Sequence, residues 1–474
     1  MIKISTDSDN FIYDIHSLVK AFYPGDDVTV GQDVEDPDFT VFFSGNKFCF
    51  KKCDGSFDDS ASVPLNADRP DVKNVLKKLI YTSLSTHLNF TLPWGDLTGI
   101  RPTKIPMKLI NEGKTDEEIL KYMKDTYFIS DEKGLLSLDI AKREKEILNP
   151  LHPDGYSIYI GIPFCPTRCL YCSFTSNPIS MFKDRVGDYL ACIGKELEFT
   201  SRARAGKSVD TIYVGGGTPT TLSAAELDVL LSLIGKYYNI SSLLEFTVEA
   251  GRPDSITPEK LKVLKEHGVT RISVNPQTMN QKTLDVIGRR HTVGEFLKAY
   301  NDAREAGFDN INNDIILGLP GEGEKEVSHT IDEIIKLKPD SLTVHSLAIK
   351  RGSLLNERIK SYGLDTMINS PSTMKIAEDG AKTLGLKPYY LYRQKNMAGN
   401  FENTGYAREG AYGIYNILIM EEIEPIIAMG AGSVTKIINS FEKPERCDNV
   451  KDIDLYIDSI DEMIKRKEEL FMHE

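Results

Sequence analysis

From residue 156 onward, the chain alternates between short apolar runs and longer amphipathic stretches. The amphipathic stretches carry apolar residues at helical spacing and centre on 184–203, 223–237, 258–267, 293–306 and 324–337. The apolar runs have the composition of strands: SIYIGI (157–162), TIYVGG (211–216), LEFTVEA (244–250), RISVNP (271–276), INNDIIL (311–317) and SLTVHSL (341–347). Six strand–helix units in a row predict an α/β fold with a parallel barrel, complete or partial.

The residues before this region have a different pattern and predict an N-terminal α/β domain over 1–150. Apolar runs on either side of the turn at 44–46 predict a hairpin. A helix can begin at Pro70, and the segment 115–118 fits a capping box ahead of another helix. The turn residues 153–155 mark a linker to the barrel. The sequence does not show what this domain does.

The regular alternation weakens after about residue 350. The barrel core is therefore assigned to 151–350, and 351–474 is predicted to be a C-terminal extension that covers the substrate. The last charged stretch, 452–470, is expected to be a solvated outer helix. Within the extension, 389–400 mixes aromatic residues with Arg393 and Lys395. It is either a surface loop or a lid that binds a planar anionic substrate by stacking and charge pairing.

Composition excludes several classes of protein. The formal net charge of -13 argues against a nucleic-acid protein held mainly by phosphate contacts. No apolar run reaches the length of a membrane span, and the first residues do not form a signal peptide. Seven cysteines without a disulfide-like spacing indicate a reducing compartment, so a cytoplasmic location is expected.

Three of the cysteines follow the first barrel strand at the spacing C-x-x-x-C-x-x-C. Cys165, Cys169 and Cys172 lie in the stretch YSIYIGIPFCPTRCLYCSF. Zinc sites usually pair C-x-x-C with a second pair of ligands, and nothing nearby supplies one. Three thiolates in one loop instead predict an iron–sulfur cluster with one iron left open to a non-protein ligand.

Further polar groups lie within or after the other predicted strands. Because the carboxyl ends of barrel strands share one face, these groups are expected to act together. Carboxylates accept hydrogen bonds from ribose hydroxyls or an ammonium, arginine pairs with a carboxylate, and glycine lets backbone approach a ligand closely. The set that suits a zwitterionic ligand with a ribose is Glu249, Gln277, Asp314, Arg289 and Arg290. The glycine-rich stretch 215–219 is either an ordinary tight turn or a loop that brings backbone N–H groups close to a ligand.

These motifs resemble the radical S-adenosylmethionine (SAM) superfamily. The frame IPFCPxxCxYCxF is similar to relatives of the oxygen-independent coproporphyrinogen III oxidase, and the motifs PWGxLTGIRP and YRQKNMAGN to its HemZ-type coproporphyrinogen dehydrogenase subgroup. The resemblance implies a partial (β/α)6 barrel that holds a [4Fe–4S] cluster and SAM. It places Tyr159 and Arg289 among the catalytic residues. It implies SAM contacts for Tyr159, Tyr171, Gly216, Gly217, Thr218, Glu249, Gln277, Arg289, Asp314 and Ala348.

The implied reaction begins with an electron from a flavodoxin or ferredoxin. Reductive cleavage of SAM gives a 5′-deoxyadenosyl radical, which removes hydrogen from a propionate of a tetrapyrrole, coproporphyrinogen III. Loss of CO2 then leaves a vinyl group, and two such steps give protoporphyrinogen IX. A haem chaperone that retains a cluster, or a radical SAM enzyme that acts on another tetrapyrrole, are the alternatives.

Three positions depart from the oxidase or the chaperone pattern. Phe174 replaces the last, non-ligand cysteine of the oxidase, and the haem chaperone of the same family also has phenylalanine there. Gly161 occupies the position of an oxidase histidine. The chaperone usually carries a His-Asn pair where this chain has Tyr415 and Asn416, which disfavours a haem carrier.

The remaining candidates are weaker. His291 and His345 are either acid/base groups or packing histidines. Cys49 and Cys53 are predicted to share one face of a strand as structural residues. The last two cysteines, Cys192 and Cys447, are predicted to have no role in the chemistry.

Overall fold

The computed structural model describes residues 1–99, 101–174, 176–350, 353–355, 357, 367, 369–394, 401–438 and 444–472. The chain divides into two compact units. The first contains Met1–Lys142 and Leu391–Glu402, and the second contains Arg143–Tyr390 and Asn403–Glu474. These boundaries fall within the helix Asp131–Ile147 and the strand Lys387–Tyr392, and each element is described with the unit that holds most of its residues. The division into three functional domains stays a prediction.

The first unit is an α/β module. Its five strands form one sheet in the order β2-β1-β3-β4-β5, with β1 parallel to both neighbours and the other pairs antiparallel. Its elements are β1 (Ile2–Thr6), α1 (Ile12–Phe22), β2 (Val28–Gly31), β3 (Phe39–Ser44), β4 (Lys47–Lys52), β5 (Asp58–Ser62), α2 (Arg69–Leu88), α3 (Lys104–Asn111), α4 (Asp116–Tyr127) and α5 (Asp131–Ile147).

Local sequence explains these elements, and one prediction about them is wrong. The hairpin between β3 and β4 turns at Gly45, whose φ of 64° suits glycine. Thr115 and Glu118 form the predicted capping box of α4. Cys53, however, does not share a strand face with Cys49, because β4 ends at Lys52. Cys53 is an exposed residue of the following turn.

The second unit carries the predicted barrel. Its elements are β6 (Tyr156–Ile162), β7 (Phe164–Cys165), β8 (Asn177–Pro178), α6 (Val186–Ala203), β9 (Val209–Gly216), α7 (Ala224–Tyr237), β10 (Glu245–Glu249), α8 (Pro258–Glu266), β11 (Arg271–Ser273), α9 (Gln281–Val286), α10 (Val293–Glu305), β12 (Ile311–Leu317), α11 (Glu324–Leu337), β13 (Ser341–Ser346), α12 (Pro371–Thr383), β14 (Lys387–Tyr392), β15 (Asn403–Ala407), α13 (Ile414–Glu421), β16 (Ile426–Met429), β17 (Val434–Ile437), β18 (Glu445–Asp448), α14 (Ile453–Asp458) and α15 (Ile460–Phe471).

The six predicted strands are confirmed as neighbours in one parallel sheet. They run in the order β13-β12-β11-β10-β9-β6, so strands adjacent in sequence are adjacent in space. β16 continues the sheet, parallel to β6, while β15 and β17 extend the two sides antiparallel. The sheet order is open, which agrees with a partial barrel. The first five of these strands along the chain each lead into a helix of the outer layer, as a parallel β/α fold requires.

The C-terminal end differs from the prediction of one solvated helix over 452–470. Two helices, α14 and α15, meet at Ser459, and α15 buries Met463, Lys467 and Leu470 along one face. Lys467 reaches the carboxylate of Glu196 on α6, and both side chains are almost fully buried. The prediction was wrong because Lys467 was counted with the surface charges of the helix, although it lies between the apolar positions Met463 and Leu470.

No helix among the described residues is both long and apolar enough to cross a bilayer.

Candidate functional site

The site lies at the carboxyl ends of the parallel strands. Side chains alternate between the two faces of a strand, so Glu245, Thr247 and Glu249 of β10 share one face. The register pairs Thr247 with Tyr213 of β9, and Tyr213 with Tyr159 of β6. Polar and aromatic side chains therefore occupy that face of the sheet.

The cysteine loop begins where β6 ends. Phe164 and Cys165 form the short strand β7, which pairs with Asn177 and Pro178. Further along the loop, the Leu170 amide donates to the Ile287 carbonyl over 2.9 Å. These backbone contacts hold the ends and the middle of the loop against the barrel.

The three thiols of the loop fit a [4Fe–4S] cluster. Cys165 and Cys169 are buried and Cys172 is half-buried. Burial raises the pKa of Cys165 and of Cys172, and the neighbouring thiols add to that rise. Among the described residues, no three His, Cys, Asp or Glu side chains could hold a single metal ion. A cluster binds each thiolate through a different iron, so it does not require such a convergence.

The glycines after β9 leave bare backbone beside the first thiol. A Cβ on Gly217 would lie 2.5 Å from the Phe164 carbonyl oxygen and 3.1 Å from Cys165 Sγ. Gly216 has a φ of 111°, which disfavours residues with a side chain. Thr218 is buried, and its Oγ1 lies 3.4 Å from Cys165 Sγ. The loop 216–218 thus offers backbone and one hydroxyl to a group bound at the thiols.

Arg252 contacts the second thiol directly. Its Nη1 donates to Cys169 Sγ over 3.3 Å, and its Nη2 donates to Thr167 Oγ1 over 3.2 Å. The carboxylate of Asp254 accepts from Nε and Nη2 over 2.8 and 2.7 Å. This residue was not among the predicted site residues. Its only signal was an arginine three positions after Glu249, close behind a strand end.

Arg289 joins the cysteine loop to two strand ends. Its Nη2 donates to the Gly251 and Asn275 carbonyl oxygens, each over 2.7 Å, and its Nη1 donates to the Tyr171 hydroxyl over 3.1 Å. The guanidinium is thus brought to Tyr171, next to the last cysteine. These contacts position Tyr171, and the predicted role of Arg289 in SAM binding stays a prediction.

Glu249 stands at the end of β10 in contact with Tyr213. The Tyr213 hydroxyl donates to Glu249 Oε1 over 2.6 Å. Burial raises the pKa of Glu249 to about 7; the Tyr213 hydrogen bond opposes this rise and the nearby Asp314 adds to it. The Tyr213 ring stacks on Tyr415 of α13 with centroids 4.4 Å apart, and Tyr159 stacks on both at 6.2 and 6.1 Å. Neither Tyr213 nor this stack was predicted.

Asp314 lies on β12 in a dense set of hydrogen bonds. Its oxygens accept from the amides of Asn275 and Asn312 over 2.8 and 2.6 Å, and His345 Nε2 lies 3.7 Å away. Burial would raise the pKa of Asp314, but the contacts with His345, Asn312 and Thr343 outweigh it and lower the pKa. His345 therefore belongs to the site as a partner of this carboxylate.

Gln277 is placed beside Asp314 by an unusual backbone. Its φ of 64° is left-handed, which a residue with a side chain rarely adopts. The Gln277 amide donates to the Asp314 carbonyl over 3.0 Å, and its own carbonyl accepts from Ile316 over 2.9 Å. These bonds to β12 hold the strained residue at the site.

The remaining predicted residues lie at the edges of the site or outside it. Ala348 follows the end of β13, and Lys350 lies over the exposed ring of Phe174 at 5.3 Å. His291 is buried, and neither ring nitrogen has a hydrogen-bond partner among the described residues. Burial, with Arg289 nearby, lowers the pKa of His291 to about 3, so this histidine stays neutral.

The candidate lid falls partly outside the described residues, at 395–400. Arg393 is buried in the first unit, where its guanidinium lies 5.6 Å from the Trp94 ring centroid and donates to the Leu97 carbonyl. The two cysteines predicted to have no role in the chemistry, Cys192 and Cys447, are buried away from the loop, on α6 and β18.

Comparison with known proteins agrees with this geometry. The family model of the Radical SAM superfamily matches residues 159–334. The oxygen-independent coproporphyrinogen-III oxidase-like protein HemZ of Bacillus subtilis is 42% identical over 410 residues, which cover 84% of this chain and 82% of that protein. The heme chaperone HemW of the same organism is 40% identical over 195 residues, 41% of this chain and 51% of that protein. The match to HemW thus spans about half the length of either chain.

Among solved structures, the coproporphyrinogen III oxidase HemN of Escherichia coli has the same fold. It superposes with a TM-score of 0.52 at 22% sequence identity, over 68% of this chain and 73% of that chain. At that identity the likeness concerns the fold alone.

Proposed function

Because the chain belongs to the radical SAM superfamily, among the oxygen-independent coproporphyrinogen-III oxidase-like proteins, we propose that it decarboxylates coproporphyrinogen III without oxygen. In each of two steps a propionate loses one hydrogen atom and one CO2, and one electron passes to an acceptor. The products are two vinyl groups and protoporphyrinogen IX. A flavodoxin or a ferredoxin is the proposed reductant, and the cytoplasm the proposed location.

A [4Fe–4S] cluster and SAM are the cofactors of the family, and together they supply a 5′-deoxyadenosyl radical. In this chain, Cys165, Cys169 and Cys172 would hold the cluster. The backbone of 216–218 would accept the amino acid end of SAM, and Glu249 would accept hydrogen bonds from the ribose hydroxyls when it is ionised. Cys165, Cys169 and Thr218 are buried, which limits the access of water to the reacting atoms.

The observation that carries the proposal is the extent of the similarity to HemZ. It covers 84% of this chain, more than the 41% to 59% matched by the HemW proteins. It therefore reaches beyond the superfamily core at 159–334. Similarity confined to that core would support radical SAM chemistry, but it would give no support to a particular substrate.

The test is anaerobic incubation of cluster-reconstituted protein with SAM, a reductant and coproporphyrinogen III. We expect CO2, protoporphyrinogen IX, methionine and 5′-deoxyadenosine, and none of them from Cys169→Ala. SAM cleavage without CO2 from this substrate would contradict the proposal and point to another tetrapyrrole.

The haem chaperone is the second candidate, because HemW relatives share the barrel sequence. The position of its usual histidine is Tyr415 here, and that ring is buried in the stack with Tyr159 and Tyr213. A side chain held in this way is poorly placed to bind haem iron. Stable haem binding by the reconstituted protein, with no turnover of coproporphyrinogen III, would favour the chaperone.

A further inference from the structure

Of the three cysteine thiols, Cys169 is the one that Arg252 contacts. The distance from Nη1 to Sγ is 3.3 Å, and the arginine side chain is 4% exposed. Cys165 has a neutral neighbour instead, the hydroxyl of Thr218 at 3.4 Å. The hydrogen bonding of these two thiols is therefore asymmetric, because Cys169 accepts from a buried cation and Cys165 contacts a neutral hydroxyl.

Hydrogen bonds hold both the guanidinium and the backbone of Arg252. Asp254 accepts two hydrogen bonds from the guanidinium, and Thr167 of the cysteine loop accepts from its Nη2. The Arg252 carbonyl accepts from the amide and the hydroxyl of Ser255, and that hydroxyl also lies 2.7 Å from Thr220 Oγ1. Both the backbone and the side chain of Arg252 are therefore held relative to the thiol.

We propose that Arg252 is a positioning residue that raises the reduction potential of the cluster through its hydrogen bond to Cys169. Reduction adds one electron and so increases the negative charge on the cluster and its cysteine sulfurs. A buried cation that donates to one of these sulfurs stabilises the reduced form more than the oxidised form. Hydrogen bonds to the sulfurs and local charge are among the factors that set such potentials.

This inference concerns the cluster, a cofactor of the family, and does not depend on the tetrapyrrole substrate. It also differs from a purely structural role, in which Arg252 only ties the loop at Thr167 to the turn at Asp254. A structural role predicts lost cluster or lost stability. The proposal predicts a changed potential in a cluster that is still complete.

The test is a redox titration of reconstituted holoprotein, with the reduced cluster followed by electron paramagnetic resonance (EPR) and neither SAM nor tetrapyrrole present. We expect Arg252→Gln to have a more negative midpoint than wild type at equal iron content. Arg252→Lys keeps the charge but loses the forked geometry of the guanidinium, so its midpoint should lie between those of wild type and Arg252→Gln. Arg304→Gln is the matched control, because Arg304 pairs with Asp340 on the outer layer of the same unit. Its midpoint should equal that of wild type.

A wild-type midpoint in Arg252→Gln with a full cluster would overturn the proposal. A second measurement avoids the risk that this variant fails to assemble. Wild-type holoprotein labelled with ¹⁵N-arginine should show a resolved ¹⁵N coupling to the reduced cluster by pulsed EPR, and labelled Arg252→Lys should lack it. Absence of that coupling in wild type would equally overturn the proposal.

Discussion

The Tyr213 hydroxyl donates a hydrogen bond to Glu249 over 2.6 Å, across the strands β9 and β10. Desolvation of the half-buried carboxyl raises its pKa to about 7, and the hydrogen bond from Tyr213 counters that rise. Tyr213 therefore favours the ionised form of Glu249 near neutral pH. Because only the ionised form accepts hydrogen bonds through both oxygens, this pair links pH to the proposed ribose contact.

The first prediction concerns the pH dependence of SAM binding. Since the pKa of Glu249 is about 7, SAM affinity should be highest above pH 7 and fall as pH drops through 7. Tyr213→Phe removes a hydrogen bond that stabilises the ionised form of Glu249. The pKa of Glu249 should therefore rise, and the fall in SAM affinity should begin at a higher pH. If that bond contributes about 1.4 kcal/mol, affinity at pH 7 should fall about fivefold.

Equilibrium dialysis of SAM against reconstituted protein between pH 6 and pH 9 would measure both effects. Tyr300→Phe is the control, because Tyr300 is a buried tyrosine of α10. Affinity that does not change with pH would show that Glu249 does not meet the ribose as an anion.

The second prediction concerns the cysteine loop. Cys169→Ala should abolish the cluster, because two thiolates remain and the bond from Arg252 loses its acceptor. Iron and sulfide analysis of anaerobically reconstituted protein measures this, with the absorbance of the cluster as a second readout. Cys192→Ala removes a buried thiol on α6, outside the loop, and should keep full iron content. An intact cluster in Cys169→Ala would refute the assignment.

The third prediction tests the glycine loop. An added methyl at Gly217 would meet the Phe164 carbonyl oxygen at 2.5 Å and Cys165 Sγ at 3.1 Å. Gly217→Ala should therefore displace the first thiol, lower iron content and weaken SAM binding by tenfold or more, roughly the 1–3 kcal/mol of an overpacked site. Gly187→Ala on α6 has nothing within 4 Å of the new methyl and should behave as wild type. Equal iron content and SAM affinity in the two variants would contradict this.

Much of the barrel could be predicted, because its signals are local. The strand at 311–317 was predicted with its correct bounds, since apolar length and β-branched content do not depend on distant residues. Strand order followed from the regular alternation with helices. The candidate residue Glu249 was found because it ends β10 and the fold places the carboxyl ends of parallel strands on one face.

The contacts that tune the site could not be predicted, because they join residues remote in sequence. Arg252 reaches a thiol 83 positions earlier, and no local pattern distinguishes it from a surface arginine. Tyr415 stacks on Tyr213 only because α13 returns to the barrel. Lys467 had one detectable signal: it occupies the apolar stripe between Met463 and Leu470, a position that excludes a solvated ammonium.

The fourth prediction concerns that lysine. Lys467 pairs with Glu196, which also accepts hydrogen bonds from Asn449 Nδ2 over 2.9 Å, from the Gly430 amide over 2.8 Å and from the Tyr456 hydroxyl. This carboxylate thus ties the C-terminal helices to the loop after β16. Lys467→Met leaves a buried anion without its cation, which should lower the free energy of unfolding by about 3–5 kcal/mol.

Urea unfolding of the apoprotein, followed by far-UV circular dichroism, measures the loss. Lys465→Met is the matched control, because Lys465 is exposed on the same helix and pairs with Glu469 across one turn. Lys465→Met should lower the free energy of unfolding by less than about 0.5 kcal/mol. The double variant Glu196→Gln with Lys467→Met removes both charges and should regain much of the stability, because the neutral amide still accepts hydrogen bonds. Similar urea midpoints for Lys467→Met and Lys465→Met would mean that the buried pair does not hold the C-terminal helices in place.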